Sequence, residues 1–319
     1  MNIGFAGTPV FAATILDALL ASKHEVLLIL TQPGRPAGRG RSVRPGPVET
    51  LGLRHGLDVY SPTSLRGIET ALEPLDVLVV AAYGGLLPDQ VLAAPRLGCI
   101  NVHASLLPRW RGASPIEHAI LHGDEETGVS IMQITSRLDA GPVFQQARLR
   151  LTAQSTTTSV TEALALLGGV EIEEVLNGLE EGTLEEPLPQ IEADATYAPR
   201  LSNEAAQINW QENAIQIERH VRAFHGRGMA FTKLTRPTRT VRIRVLKVQK
   251  AEGAGPPGEI LFTSPVPVIA CGRDALALQT VQLSVGKGRP MSGADAVNGF
   301  ADLWQIGSRF ENPEALENA

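Results

Sequence analysis

The chain has 319 residues, enough for two domains of ordinary size. Its 43% hydrophobic and 19% charged residues are typical of a globular protein with a hydrophobic core. No apolar run approaches the ~20 residues of a membrane-spanning helix. Cys99 and Cys271 are too few for a disulfide framework, and no secretion signal follows Met1, which together favour a reduced, cytoplasmic protein.

The net charge of −6 hides an uneven distribution of charged residues along the chain. Residues 151–199 contain ten acidic side chains and no Lys or Arg, whereas residues 219–250 contain ten Lys or Arg and no Asp or Glu. A polyanion responds to the local field rather than to the net charge. The basic stretch is therefore a candidate surface for nucleic acid, and the acidic stretch is most simply a solvated helix face.

Four apolar runs in the first half of the chain predict buried strands, with helical spacing between them. Thr8 is the expected cap of a helix over residues 10–22, with Pro9 at its first position. Near-continuous apolar strands separated by helices predict an α/β domain with a mostly parallel sheet that is covered on both faces. The predicted strands are residues 2–6, 25–30, 75–81 and 98–103.

The pattern changes after about residue 150. Residues 157–181 predict one long helix, and residues 182–207, rich in Pro, Glu and Ala, predict a linker. Residues 211–224 fit another helix. From residue 229 onward, short alternating runs such as 241–245, interrupted by Gly and Pro, predict a small closed β-barrel.

The segment from Asn101 to His103 carries side chains that are candidates for a catalytic site. Residues two apart in a strand face the same side, so the amide of Asn101 and the imidazole of His103 point to one pocket. Acyl transfer needs a donor for a developing oxyanion and a group that handles protons near neutral pH. A histidine near a strand end is nevertheless often structural. Asp139, in a Gly-Pro turn, is either a loop hydrogen-bonder or a third member that orients His103 or accepts a proton.

Three motifs resemble the folate-dependent formyltransferase superfamily: Asn-Val-His at 101–103, Ser-Leu-Leu-Pro at 105–108, and Leu-Asp-Ala-Gly at 138–141. The resemblance implies a Rossmann-like domain in which Asn101 and His103 stabilise the tetrahedral intermediate while Asp139 tunes His103 and moves protons. It also implies a 10-formyltetrahydrofolate donor and no metal. The implied folate contacts are Ser105, Leu106, Leu107, Pro108, Tyr83, Gly84, Leu86 and Leu87.

Further segments are similar to the methionyl-tRNA formyltransferase family within that superfamily. They are Phe-Ala-Gly-Thr-Pro at 5–9, a basic Gly- and Pro-rich loop at 31–46, and Pro-Arg-Trp-Arg-Gly at 108–112. This resemblance implies that initiator methionyl-tRNA is the acceptor, that no membrane is involved and that the protein is a monomer. The implied tRNA contacts are Arg35, Arg39, Arg41, Arg44, Arg109 and Lys287.

The resemblance covers nearly the whole chain and implies three parts. These are a catalytic domain at 1–190, a linker at 191–207, and an OB-like tRNA-binding domain at 208–319. One departure is the segment 224–229, where the family usually has a turn containing Pro and Trp, and this leaves the local loop conformation open. His118 and His122 have helical spacing but lack a third metal ligand, and we interpret them as structural.

Two other functions share part of this pattern. An enzyme that formylates an amino group on a nucleotide-linked sugar would keep the Asn, His and Asp, but would not need so extended a cationic surface. A non-catalytic RNA-binding protein with a formyltransferase-like domain would not need an intact triad. The arginine-rich loop and the basic strands favour a tRNA acceptor.

Overall fold

The computed structural model describes residues 1–34, 36–37, 42–226, 228–237, 239–285 and 288–313. The chain divides into two compact units, and the last boundary between them follows residue 199. The first unit comprises residues 1–116, 125–151 and 159–199, and the second comprises 117–124, 152–158 and 200–319.

The first half of the chain builds an α/β fold around a seven-stranded sheet. Its order is β5-β2-β1-β6-β7-β8-β9, in which the first five strands are parallel, β8 runs antiparallel to β7, and β9 runs antiparallel to β8. In chain order the elements are β1 (Asn2–Gly7), α1 (Val10–Ala21), β2 (Glu25–Leu30), β3 (Pro36–Ala37), β4 (Ser42–Val43), α2 (Pro47–Arg54), β5 (Asp58–Tyr60), α3 (Glu69–Leu72), β6 (Val77–Ala81), α4 (Asp89–Ala93), β7 (Cys99–His103), α5 (Pro115–His122), β8 (Glu126–Gln133), β9 (Val143–Arg150) and α6 (Thr157–Glu181).

The four strands predicted from apolar runs are β1, β2, β6 and β7, and the mostly parallel α/β fold is confirmed. Every residue of β6 is buried, as expected of a strand covered on both faces. The antiparallel strands β8 and β9 were not predicted. Strand β9 alternates between partly buried and exposed residues at the sheet edge, which gives it no continuous apolar run.

The predicted role of Thr8 as helix cap is wrong. Pro9, in an extended conformation, is the N-cap of α1, and the Thr8 hydroxyl donates to the carbonyl of Tyr83 at 3.0 Å. This bond joins the chain just after β1 to the chain just after β6. Because β1 leads outward to β2 and β5 while β6 returns to its other side, the strand order reverses here. Ligands of open α/β sheets bind at such a reversal, beyond the carboxyl ends of the strands.

The second unit contains a six-stranded antiparallel sheet of order β10-β11-β14-β13-β12, with β15 paired to β14. The remaining elements in chain order are α7 (Ala214–Ala223), β10 (Phe231–Arg236), β11 (Arg239–Ala251), β12 (Ile260–Phe262), β13 (Val268–Ala270), β14 (Ala275–Leu283), β15 (Pro290–Ser292) and α8 (Gly293–Gly299).

A segment near the end of the described chain links the two edges of this sheet. The backbone of Arg309 forms a β-bridge with that of Glu259 beside β12, and the backbone of Glu311 forms one with that of Lys233 in β10. The sheet is thereby closed, as the short-strand pattern predicted. The core beneath it includes Trp210, fully buried, whose ring stacks on Phe310 and whose indole N–H donates to Thr232 at 3.0 Å.

Strand β11 is longer than the short strands expected. Its first half keeps the predicted alternation, with Val241, Ile243 and Val245 buried while Arg242 and Arg244 are exposed. A register irregularity against β14 follows between Val245 and Lys247. Such bulges bend a strand, which lets one strand follow a curved sheet.

Among the described residues, no helix is both long and apolar enough to cross a membrane.

Candidate active site

Strand β7 presents Asn101 and His103 on one side at its carboxyl end. In the register, Asn101 lies opposite Val80 of β6 and Met132 of β8, and His103 lies opposite Ser130. His103 is 6% exposed and Asn101 is partly exposed. The side-chain amide of Asn101 has no hydrogen-bond partner among the described residues, so its N–H groups are available to a ligand on the side of the strand that His103 shares.

The backbone fixes the tautomer of His103. Its Nε2 lies 3.0 Å from the carbonyl oxygen of Trp110, which can only accept, so Nε2 carries a proton and donates it. In the neutral ring Nδ1 then holds a lone pair. Trp110 itself has a left-handed φ of 65°, and its N–H donates to the Thr196 hydroxyl at 2.9 Å.

Asp139 faces the free side of this imidazole. Its Oδ2 is 3.9 Å from His103 Nδ1, too far for a direct hydrogen bond, with the two atoms facing each other. The same oxygen accepts the Gly112 N–H at 2.8 Å. The sequence left open whether Asp139 is a loop residue or a partner of His103. Here it makes a loop bond and lies beside His103 at once.

Two glycines permit this arrangement. Gly112 has a φ of 121°, and a Cβ there would lie 2.7 Å from the carbonyl oxygen of Ala198. A Cβ at Gly141 would overlap the carbonyl oxygen of Gln133. Asp139 has a left-handed φ of 47°, an uncommon conformation for a residue with a side chain. The surroundings therefore have to hold the Asp139 turn in place.

The segment 105–108 is tied to the sheet by a second network. The Ser105 hydroxyl, fully buried, donates to the Arg109 carbonyl at 2.6 Å. Ser130 accepts the Leu107 N–H at 3.0 Å and donates to the Ser105 carbonyl at 2.7 Å. Gln146 donates to the Leu107 carbonyl at 2.9 Å. Leu107 is buried, whereas Leu106 and Pro108 are partly exposed and are the members of this segment with surface open to a ligand.

The other predicted folate contacts follow β6, at the reversal of strand order. Tyr83 is buried in a cluster that includes Leu30 and Val80, and burial raises the pKa of its phenol. Gly84 is exposed with a φ of 81°, and Leu86 is 87% exposed. Leu87 packs against the same cluster. The segment thus presents an exposed apolar side chain on a turn anchored by Tyr83.

Sequence reasoning missed a group of residues that supports Asp139. Gln190 donates through Nε2 to the carbonyls of Asp139 and Gly141, at 2.9 and 2.8 Å. Arg111, 1% exposed, donates to Gln190 Oε1 and to both carboxylate oxygens of Glu192. Gln190 and Glu192 lie in a stretch that reads as a linker, where Pro and acidic residues give no periodic signal. The one available signal was an arginine in the Pro-Arg-Trp-Arg-Gly motif.

The Glu192 carboxylate gives a pH-dependent contribution to stability. Hydrogen bonding from Arg111, with the charge of Arg137 adding to it, lowers the pKa of Glu192 below its ordinary 4.5. A carboxylate with a lowered folded pKa stabilises the fold above its unfolded pKa and loses that contribution as pH falls through the folded value. We therefore expect Glu192→Gln to be less stable than the wild type near neutral pH, and the difference to vanish in acid.

Denaturant unfolding between pH ~3 and ~7 measures this difference. Glu185→Gln, at an exposed position of the same stretch, is the matched control and should give no pH-dependent difference. A wild-type advantage over Glu192→Gln that is constant across this pH range would contradict the assignment.

Two of the six predicted tRNA contacts lie within the described residues. Arg44 is exposed just before α2. Arg109 is exposed with its guanidinium 4.3 Å from the centroid of the Trp110 ring, a cation–π contact. Arg35, Arg39, Arg41 and Lys287 lie outside the described residues.

In the part of the chain that the structure describes, no three His, Cys, Asp or Glu side chains gather as metal ligands. The rings of His118 and His122 stack at 5.9 Å, and His122 Nδ1 lies 2.9 Å from the His118 carbonyl oxygen. Cys99 and Cys271 are free and buried, and burial raises the pKa of each thiol to about 12. Neither thiol is poised as a nucleophile.

Family models identify what this arrangement belongs to. Residues 1–176 match the model described as formyl transferase, and residues 200–301 match the formyl transferase C-terminal domain. The chain belongs to the formyl transferase family. It is 45% identical over 306 residues to the methionyl-tRNA formyltransferase of Methylococcus capsulatus, an alignment that covers 94% of this chain and 97% of that protein.

Solved structures share the fold at low sequence identity. HypX from Aquifex aeolicus, in complex with tetrahydrofolic acid, superposes with a TM-score of 0.64 at 16% identity over 94% of this chain, which spans 47% of that protein. An N-formyltransferase from Helicobacter canadensis, in complex with folinic acid and dTDP-3-aminofucose, superposes with a TM-score of 0.65 at 15% identity, over 86% of this chain and 98% of that one.

Proposed function

We propose that this formyl transferase moves the formyl group of 10-formyltetrahydrofolate to the α-amino group of initiator methionyl-tRNA, giving N-formylmethionyl-tRNA for translation initiation. The observation that carries the proposal is the position of Asp139 beside His103, with Asn101 on the same side of β7. The near-full-length similarity to a methionyl-tRNA formyltransferase supports the choice of acceptor.

The pair formed by His103 and Asp139 fits an amine acceptor. With the proton of His103 on Nε2, its Nδ1 and the Asp139 carboxylate are two proton acceptors facing each other 3.9 Å apart. A donor between them satisfies both, and an amino group carries the N–H bonds to do so. Both acceptors are then placed to take the proton that the amine loses on acylation.

In this reaction the amine nitrogen forms a bond to the formyl carbon while the bond from that carbon to the folate nitrogen breaks. The Asn101 amide donates to the formyl oxygen as negative charge develops on it. Asp139 and His103 accept the proton released by the amine and return one to the departing folate nitrogen. The products are a formamide and tetrahydrofolate, so no oxidant, reductant or metal enters the balance.

For the folate, Leu106 and Pro108 and the exposed turn at Gly84 and Leu86 lie at carboxyl ends of parallel strands, where such sheets bind ligands. We place the pterin and its linker along these two segments, with Ser105, Leu107, Tyr83 and Leu87 holding them from behind. We further propose that the enzyme acts as a cytoplasmic monomer, with residues 1–190 catalytic, 191–207 linking and 208–319 binding tRNA.

Strand β11 supports a polyanionic acceptor. Arg242 and Arg244 are exposed on one face, and Lys247 is exposed beyond the bulge. Partial desolvation, with the charge of Arg244 adding to it, lowers the pKa of Arg242, although a guanidinium stays charged at neutral pH. These cations have no acidic neighbours in the sequence, and bound phosphate groups would reduce their mutual repulsion.

Salt dependence tests this surface. Binding of initiator tRNA should weaken linearly in a log–log plot against salt, and replacing Arg242 and Arg244 by Gln should lower the slope by about 1.5, or about 0.7–0.9 for each lost phosphate contact. Arg96→Gln is the control and should leave the slope unchanged. Arg96 belongs to the first unit, where it forms an ion pair with Asp76 of the same unit. A salt-independent affinity would contradict a phosphate-binding role.

A transfer assay with purified protein and 10-formyltetrahydrofolate tests the function as a whole, with methionine-charged initiator tRNA and an amino-sugar nucleotide as parallel acceptors. We expect formylmethionyl-tRNA as the product. Formylation of the sugar alone would keep the site and overturn the acceptor. Binding of tRNA without transfer to either acceptor would make the chain a non-catalytic RNA-binding protein.

A further inference from the structure

The Asp139 turn is held by hydrogen bonds from residues distant in the sequence. Asp139 has a left-handed φ of 47°, and its Oδ2 is anchored by the Gly112 N–H at 2.8 Å. The carbonyls of Asp139 and Gly141 both receive N–H bonds from the single side-chain amide of Gln190. One side chain thus spans the turn on both sides of Ala140.

Gln190 is in turn fixed by Arg111. Arg111 Nε donates to Gln190 Oε1 at 3.0 Å, which sets the orientation of the amide so that its NH2 group points at the two carbonyls. The Arg111 guanidinium is buried, and its Nη1 bonds both oxygens of Glu192, which also accepts from Arg137 at 2.8 Å. Every hydrogen-bonding group of the Gln190 amide therefore has a defined partner.

The backbone around Arg111 holds the other half of the site. The preceding residue, Trp110, supplies the carbonyl that accepts from His103 Nε2, and the following residue, Gly112, supplies the N–H that binds Asp139. Arg111 itself pairs with the strand-like segment at 196–198, through its N–H to Thr196 O at 2.9 Å and its carbonyl from Ala198 N at 2.7 Å. The positions of His103 and Asp139 are thus both set by hydrogen bonds to the backbone of residues 110–112.

We infer that Gln190 is a positioning residue. Its two hydrogen bonds to the Asp139 turn, here called the clamp, hold the Asp139 carboxylate 3.9 Å from His103 Nδ1, and Arg111 holds Gln190 itself in place. Its role rests on the proposed function, because a proton-handling pair is the reason the distance matters. Gln190 touches neither reacting group of the substrates in this assignment and acts through the backbone of the Asp139 turn. A displacement of about 1 Å in such a site is enough to cost ~100-fold in rate.

Two substitutions distinguish the hydrogen bonds that Gln190 donates to the turn from its anchor, the hydrogen bond that it accepts from Arg111. Gln190→Glu keeps an oxygen acceptor for Arg111 Nε but replaces the donor to the turn with a carboxylate oxygen, which repels the two carbonyls, so the bond to Arg111 is retained while both bonds to the turn are lost. Gln190→Met removes the anchor as well. Gln90→Glu and Gln90→Met, at an exposed position of α4 in the same unit, are the matched controls.

We expect both Gln190 variants to lower kcat by about 10- to 100-fold, with KM for folate and acceptor changed by less than about 3-fold. In the Asp139→Asn background, Gln190→Glu should lower the residual single-turnover rate by less than about 2-fold, because its effect passes through the lost carboxylate. Equal losses in both backgrounds, or a rise in KM with kcat unchanged, would overturn the inference.

Hydrogen–deuterium exchange of the peptide spanning 134–144 provides a readout that needs no substrate. Exchange at residues 138–141 should be faster by about 10-fold in Gln190→Glu than in the wild type, and unchanged in Gln90→Glu. Faster exchange in a protein that formylates no acceptor would retain the clamp and reject the proposed function. Unchanged exchange would reject the clamp whatever the activity.

Discussion

Asp139→Asn is expected to lower kcat by about 10²- to 10⁴-fold while initiator tRNA binds with nearly the wild-type affinity. Asparagine has the same shape and keeps an oxygen that accepts the Gly112 N–H, so the turn is retained. The change removes the negative charge that lies 3.9 Å from His103 Nδ1 and with it one of the two proton acceptors facing each other. Steady-state transfer kinetics and tRNA binding measured on the same preparation check both parts.

Asp58→Asn, at an exposed position of edge strand β5, is the matched control and should leave kcat unchanged. Thermal unfolding of both variants shows whether any loss of rate comes from unfolding instead. A parallel loss of tRNA binding and turnover in Asp139→Asn would mean that the carboxylate supports the fold of the acceptor site rather than proton transfer. Full activity would remove Asp139 from the chemistry.

Asn101→Leu has the second large expected effect. Leucine matches asparagine in shape but cannot donate to an oxyanion, and loss of one such donor lowers kcat by about 10²- to 10³-fold in other acyl-transfer sites. Because the donor acts on charge that develops only in the transition state, KM for folate and for tRNA should change little. Presteady-state measurement of the transfer step separates this from slow product release.

Asn298→Leu, at an exposed position of α8, serves as the control for an added apolar side chain. An Asn101→Leu variant with a raised KM and an unchanged kcat would assign the Asn101 amide to ground-state binding. If Asn101→Leu and Asp139→Asn were fully additive in log rate, the two residues would act in separate steps rather than on one transition state.

Local periodicity explains why much of the fold was predictable. Buried parallel strands require unbroken apolar runs, so β1, β2, β6 and β7 are visible in the chain without a partner. Helix α6 spans the predicted residues 157–181. The start of α7 was less accurate, because the capping box between Asn213 and Gln216 begins the helix three residues after the predicted position.

Edge strands and helix entry were less visible. Strand β9 has exposed residues alternating with partly buried ones, and its pairing with β8 follows from chain reversal rather than from its own pattern. Thr8 has the composition of a cap, yet its hydroxyl bonds Tyr83 because the reversal of strand order brings the end of β6 next to the end of β1. Local propensity yields to such tertiary contacts.

The placement of Asn101 and His103 on one side of a strand follows from local sequence alone, because side chains in a strand alternate whatever surrounds them. The basic face of β11 follows from local sequence for the same reason. Three contacts arise from tertiary folding: Asp139 lies beside His103, the Trp110 carbonyl fixes the imidazole tautomer, and Gln190 bonds the Asp139 turn. Those contacts join residues far apart in the chain, and their geometry depends on how the sheet and its loops close, which no local pattern encodes.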